Sequence, residues 1–91
     1  MNRIPESAVQ AKIKKALQAN GWYVIKLIQT SHNGCPDLMA VRSGKYVWIE
    51  VKAEKGKVAP LQAFRHEELR RAGAEVIVAF GLDDIKHLTT N

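Results

Sequence analysis

Two acidic side chains and a lysine carry the chemistry that this sequence offers. Asp37 follows Gly34-Cys35-Pro36, and Glu50 stands two residues before Lys52 in the run Tyr46-Val47-Trp48-Ile49-Glu50-Val51-Lys52. That run alternates with the period of a strand, so Val47, Ile49 and Val51 share one face while Tyr46, Trp48, Glu50 and Lys52 share the other. Asp37 to Val41 reads as the preceding strand, and Ser43-Gly44 supplies the glycine that a tight hairpin wants. With a two-residue loop at 43–44, or a four-residue loop around it, counting back sets Asp37 opposite Glu50 and Leu38 opposite Ile49. A three-residue loop would slip the register by one and part the two acids. Directly opposed residues hold their Cβ atoms about 4.5–5.5 Å apart, and two carboxylates so placed repel unless a cation lies between them. A hard ion such as Mg²⁺ takes one or two carboxylates together with water and phosphate oxygens, so this pair beside a lysine suits phosphodiester hydrolysis.

Gly-x-Pro-Asp at 34–37, followed a strand later by Glu-x-Lys at 50–52, resembles the PD-(D/E)xK nuclease superfamily. The flanks resemble its virus-type replication-repair nuclease (VRR-NUC) branch: Glu6-Ser7-x-x-Gln10 near the start, Gly56-Lys57 and then Gln62 after the hairpin, and the run His66-x-x-Leu69-x-x-Ala72-Gly73. The resemblance covers almost the whole chain, to near Phe80. It implies an α/β fold with a restriction-endonuclease-like αβββαβ core, a mixed four-stranded sheet flanked by helices. It further implies Mg²⁺ or Mn²⁺ held by Asp37, Glu50 and the Val51 carbonyl, with Lys52 against the attacking water and the scissile phosphate. Gln62 matches an active-site glutamine of the family, and Glu6 matches an acidic residue of the first helix that contributes to the site. Stand-alone members resemble phage-type enzymes acting on branched DNA, which makes a four-way (Holliday) junction the leading substrate. The rival reading is a catalytically inactive DNA-binding module with the same fold. Such a module has no need to keep two mutually repelling carboxylates together.

Composition sets the frame for this reading. At 91 residues the chain makes one small domain, spanning 1–91, near the size at which burial is marginal and a second subunit helps. A composition of 46% hydrophobic and 25% charged residues argues for a folded globule over disorder. The net charge of +5 and pI near 9.6 favour a polyanionic partner. No apolar run approaches the roughly 20 residues of a membrane span, and Met1 to Glu6 lacks the apolar core of a signal peptide, so a cytosolic location and no membrane partner are expected. Cys35 is the single cysteine, which excludes an internal disulfide and a cysteine-rich zinc site.

The elements that must position these residues follow from the pattern. Residues 6–20 read as an amphipathic helix on Val9, Ile13, Ala16 and Leu17, with Ser7 and Gln10 at capping-box spacing and Asn20-Gly21 as its stop. Trp22 to Ile28 reads as a strand buried on both faces except at Lys26, which is expected to turn toward phosphate and the carboxylates or else to reach the sheet's edge. His32 lies in the polar loop 30–34, and Lys55 and Lys57 in the charged loop before Pro60, all sited to meet DNA phosphates. Leu61 to Ala72 reads as a helix with Leu61, Phe64, Glu68, Leu69 and Ala72 along one stripe, where Glu68 is off-pattern, and with Gln62 and His66 one turn apart beside it. Glu75 to Phe80 is an apolar strand returning parallel to the Glu-x-Lys strand, and Asp83 to Leu88 a short helix capped by Asp83 or Asp84. A homodimer is expected, with Trp22, Tyr23, Tyr46 and Trp48 as candidate anchors, packing of Trp48 beneath the second helix being the alternative for that residue.

Overall fold

The computed structural model describes residues 4–90. The elements run α1 (Glu6–Ala19), β1 (Tyr23–Lys26), β2 (Leu38–Arg42), β3 (Lys45–Val51), α2 (Pro60–Arg71), β4 (Glu75–Ala79) and a closing 3-10 helix, Leu82–Leu88. The strands form one sheet in the order β1-β2-β3-β4. The first three are antiparallel and β4 lies parallel to β3, which makes this the mixed four-stranded sheet expected of the sequence.

The β2–β3 hairpin closes on two residues. Ser43 and Gly44 both have positive φ, 51° and 79°, the backbone of a primed turn whose twist matches that of the strands it joins. Register then follows without choice: Arg42 pairs with Lys45, Ala40 with Val47 and Leu38 with Ile49. One pleat face carries Leu38, Ala40, Val47, Ile49 and Val51, and it packs against Val9, Ile13 and Leu17 of α1 and Ile85 and Leu88 of the 3-10 helix to form the core. Trp22 completes this core and donates from Nε1 to the Leu88 carbonyl at 2.8 Å. It is therefore no interface anchor, because both its ring and its one donor are committed inside the molecule.

The opposite pleat face is covered unevenly. α2 packs against β4 and the adjoining end of β3, with the Arg70 guanidinium donating to the Val76 carbonyl at 3.0 Å. Toward β1 the face stays open, and Tyr23, Ile25 and Tyr46 are exposed beside half-buried Met39, Val41 and Trp48. The expectation that β1 is buried on both faces therefore fails. A strand is sandwiched only where helices cover both sides, and β1 is an edge strand beyond the reach of α2. Lys26 pairs with Leu38, which roots it on the α1 side of the sheet, the side away from Asp37 and Glu50. It stands exposed at the edge and does not turn toward the carboxylates.

Three local details also differ from expectation. α1 starts from Pro5, whose carbonyl accepts from Ala8 and Val9, and it has no side-chain cap, so Ser7 and Gln10 form no capping box. Asp84 does not cap the 3-10 helix; its carboxylate accepts instead from the Phe80 N–H at 2.8 Å, and Gly81 holds the cap position. The largest difference is in α2, where Leu61 and Phe64 are 44% and 55% exposed while Gln62, His66 and Leu69 turn inward. The helix is rolled by what lies beneath it, a buried carboxylate in need of hydrogen-bond donors.

Candidate active site

The site assembles where β2 begins and β3 ends. Continuing the hairpin register one pair beyond Leu38–Ile49 sets Asp37 opposite Glu50, on the pleat face that α2 covers. Asp37 is fixed by an unusual contact: its Oδ2 accepts the backbone N–H of Val51 at 2.8 Å, one residue past its cross-strand partner. The ladder is thereby extended by a side chain, and the other carboxylate oxygen is left to face Glu50 and solvent.

Glu50 is 1% exposed. Its Oε1 lies 3.2 Å from His66 Nε2 and its Oε2 lies 3.3 Å from Gln62 Nε2. Lys52 Nζ stands 3.8 Å from Oε2 and 2.9 Å from Gln62 Oε1. Gln62 is the hub of the arrangement. Its Oε1 accepts from Lys52 and also from the Ala59 N–H at 2.9 Å, so the side chain closes the first turn of α2 from its third position while its amide group reaches the acid. Only half a capping box is made, since Ala59 has no side-chain oxygen to return the bond.

The acid pair without a cation is under electrostatic load. Burial pushes the Glu50 carboxyl up to about 8. Asp37 adds to the shift, both as an acceptor for the protonated form and as a like charge, and Glu6 adds a little more repulsion, whereas Lys52 pulls the other way. His66 moves down from its ordinary value, first through burial and then through the charges of Arg70 and Lys52, and so it is held neutral. A carboxyl raised this far beside a second acid and a lysine is the pattern of a site built for chemistry, or for an ion that is not itself a side chain.

Donor chemistry decides which ion would fit. Among the described residues, no three His, Cys, Asp or Glu side chains gather at one point, so nothing resembles the closed nitrogen and sulfur shell of structural zinc. Two carboxylates, an adjacent backbone carbonyl and an open side match the demand of Mg²⁺ or Mn²⁺ for a few protein oxygens plus water and substrate.

Other expected residues lie at varying distances from this centre. Glu6 is the first residue of α1, exposed yet close enough for its charge to be felt at Glu50. Gln10, one turn on, is half-buried. His32 is exposed in loop 27–37, where a polar cleft of about 310 Å³ runs between Thr30, His32, Asn33 and Asp37. Lys55 and Lys57 are exposed on the loop joining β3 to α2. Cys35 is a half-buried free thiol on the same loop as His32. His66, which the sequence places one turn from Gln62 without a role in the site, is a direct contact of Glu50. Its spacing of one turn from Gln62, on the helix after the Glu-x-Lys strand, was the signal that could have found it.

The loop that leads into Asp37 is cinched to α2. Gly34 has φ +85°, and a Cβ there would stand 2.9 Å from Leu61 Cγ and 3.0 Å from the Leu61 carbonyl oxygen. Arg65 reinforces the contact by donating from Nε to the Asn33 carbonyl at 2.8 Å. Gly34→Ala is therefore expected to destabilise the fold by about 1–3 kcal/mol through the left-handed backbone alone, with a further cost from the clash. Urea denaturation would measure it, and an unchanged midpoint would show that the loop and helix can part freely.

Comparisons with known proteins agree with this fold. Residues 1–82 match the family model described as VRR-NUC domain. A protein of Acyrthosiphon pisum secondary endosymbiont phage 1, named "Putative nuclease p44", is 30% identical over 79 residues, covering 86% of this chain and 85% of that protein. A solved structure described as a VRR_NUC domain superposes with a TM-score of 0.78 at 31% identity, covering 91% of each chain.

Proposed function

Because the chain belongs to the VRR-NUC domain family, whose members are nucleases, we propose that it is a metal-dependent DNA endonuclease acting on branched DNA, with four-way junctions foremost. The observation that carries the reading is the buried Glu50 opposed to Asp37 on one pleat face, with its carboxyl raised to about 8 and Lys52 and Gln62 gathered against it. Such a pair costs stability in the absence of a cation, and a fold that served binding alone would do better without it.

Asp37, Glu50 and the Val51 carbonyl would hold the ion. Mg²⁺ or Mn²⁺, when bound, supplies Lewis acidity that lowers the pKa of a water and neutralises charge on the scissile phosphate. Lys52 donates from Nζ toward the attacking oxygen and the non-bridging phosphate oxygens, where negative charge grows in the transition state. Gln62 holds that ammonium in place by accepting from it. Glu6, on the open side, orients solvent at the rim of the site. Lys55, Lys57 and His32, exposed on the two loops flanking the centre, meet the sugar-phosphate backbone.

A homodimer fits the same reading, since cutting both strands of a two-fold junction needs two sites facing opposite strands. The open sheet face of Tyr23, Ile25, Tyr46 and Trp48 is the surface that supports it, because an isologous contact can be built from one such patch. The deciding experiment incubates the protein with labelled junctions, flaps, single strands and duplexes, with Mg²⁺, with Mn²⁺ and with chelator, while light scattering measures its mass. Paired incision of the junction by a dimer, lost with chelator, is the expected result. Binding of DNA with no cleavage under either ion would make the protein a binding module, and a monomer that nicks one strand would remove the paired mechanism.

A further inference from the structure

We infer that His66 is a positioning residue for Glu50: together with Gln62, it lets helix α2 fix the plane of a metal-binding carboxylate from behind. The inference rests on the reading of Asp37 and Glu50 as the metal site. His66 is the only buried residue of α2 and is 2% exposed, at a place where an apolar side chain would pack without the desolvation that an imidazole suffers. What it gains there is Glu50, with Nε2 lying 3.2 Å from Oε1. Gln62, one turn earlier, meets Oε2 at 3.3 Å.

Each oxygen of the carboxylate thus faces one nitrogen from the same helix, and with its proton on Nε2 His66 donates beside Gln62. Residues four apart on a helix project side by side, so the two donors form a fixed fork whose spacing matches a carboxylate in one orientation. Rotation of the Glu50 carboxyl would break both bonds. Its remaining lone pairs are held toward Asp37, where an ion would sit. Partners that orient a metal ligand in this way are worth about 10–100-fold in metal affinity, whereas a histidine that merely fills space is worth none.

The test uses the full chain and a readout independent of cleavage, Mn²⁺ binding by isothermal titration calorimetry without DNA. His66→Leu fills much of the same space but cannot donate, and is expected to weaken Mn²⁺ binding by about 10–100-fold. His66→Gln, whose amide can donate to Oε1, is expected to restore most of that loss. In the Mg²⁺-saturated protein, long-range ¹H–¹⁵N correlation should find the His66 proton on Nε2, and this measurement stands even if the leucine variant fails to fold. A folded His66→Leu with wild-type Mn²⁺ affinity, a glutamine variant no better than leucine, or a proton on Nδ1 alone would each overturn the inference. Wild-type protein that takes up no Mn²⁺ would sink the metal reading and this inference with it. Wild type that binds and cuts beside an unaffected leucine variant would sink this inference alone.

Discussion

Asp37→Asn and Glu50→Gln are each expected to reduce Mg²⁺-dependent cleavage to background while making the metal-free protein more stable. The loss follows from removing one of two carboxylates that the ion needs. The gain follows from the same charge, because Glu50 is buried against Asp37 and its carboxyl is raised to about 8. Asp37→Asn is the cleaner variant, since an asparagine oxygen can still accept the Val51 N–H. Glu50→Gln gives something back, as either Gln62 Nε2 or His66 Nε2 then faces an amide NH₂. Each unit of pKa displacement corresponds to about 1.4 kcal/mol, so a net gain on the order of 1 kcal/mol is expected after these offsets.

The sign of the pH dependence separates this account from a general loosening. Native Glu50 keeps its proton up to about pH 8, whereas the unfolded chain releases it near the ordinary value of 4.5. Over that interval the native state binds more protons, and stability must fall as pH rises. The contribution is fully present below 4.5 and gone above about 8. Thermal melts of metal-free protein at about pH 6 and about pH 9 should therefore diverge for wild type more than for Glu50→Gln. Mg²⁺ should reverse the trend, because binding the ion displaces the proton and tightens as pH rises. A Glu50→Gln protein that cleaved normally, or that lost stability at high pH as wild type does, would remove Glu50 from the site.

Lys52→Ala is expected to slow cleavage by about 10²–10³, the loss associated with removing one preorganised donor to developing charge. The surrounding contacts add a second consequence. Among the described residues, Lys52 is the one group that pulls the Glu50 carboxyl down, so the alanine variant should need a higher pH to take up Mg²⁺. Rate against pH at saturating Mg²⁺ distinguishes the two roles. A deficit that persists at every pH assigns Lys52 to the transition state, whereas full recovery in alkali would reduce it to a partner of Glu50.

The hairpin was open to reading from sequence because its determinants are local. Ser43-Gly44 allows a primed turn, the turn sets the register, and the register alone brings Asp37 to Glu50. β1 was misread because an apolar alternating run looks the same at the edge of a sheet as at its centre, and only the full strand order, with α2 confined to the β4 side, exposes Tyr23 and Ile25. α2 was misread for the opposite reason. Its apolar residues are real, but the surface beneath it holds Glu50, and a buried carboxyl draws Gln62 and His66 inward at the expense of Leu61 and Phe64. Periodicity reports which face of a helix could be buried in oil; it is silent about a polar floor.

The two halves of the centre also differ in how far apart they lie along the chain. Asp37 and Glu50 meet through a two-residue turn, an event of the microsecond class, while Gln62 and His66 arrive only when α2 docks and β4 closes a parallel crossover, a slower and less local step. Before that docking Glu50 faces water and sheds its proton at neutral pH. After it, Glu50 is dry and protonated. Closure of α2 over the hairpin therefore takes up the proton that the stability series counts. Contact locality therefore predicts, for metal-free protein at neutral pH, the order hairpin, then proton and helix together, with an ion bound at the pair taking that proton's place as the charge under which the last element settles.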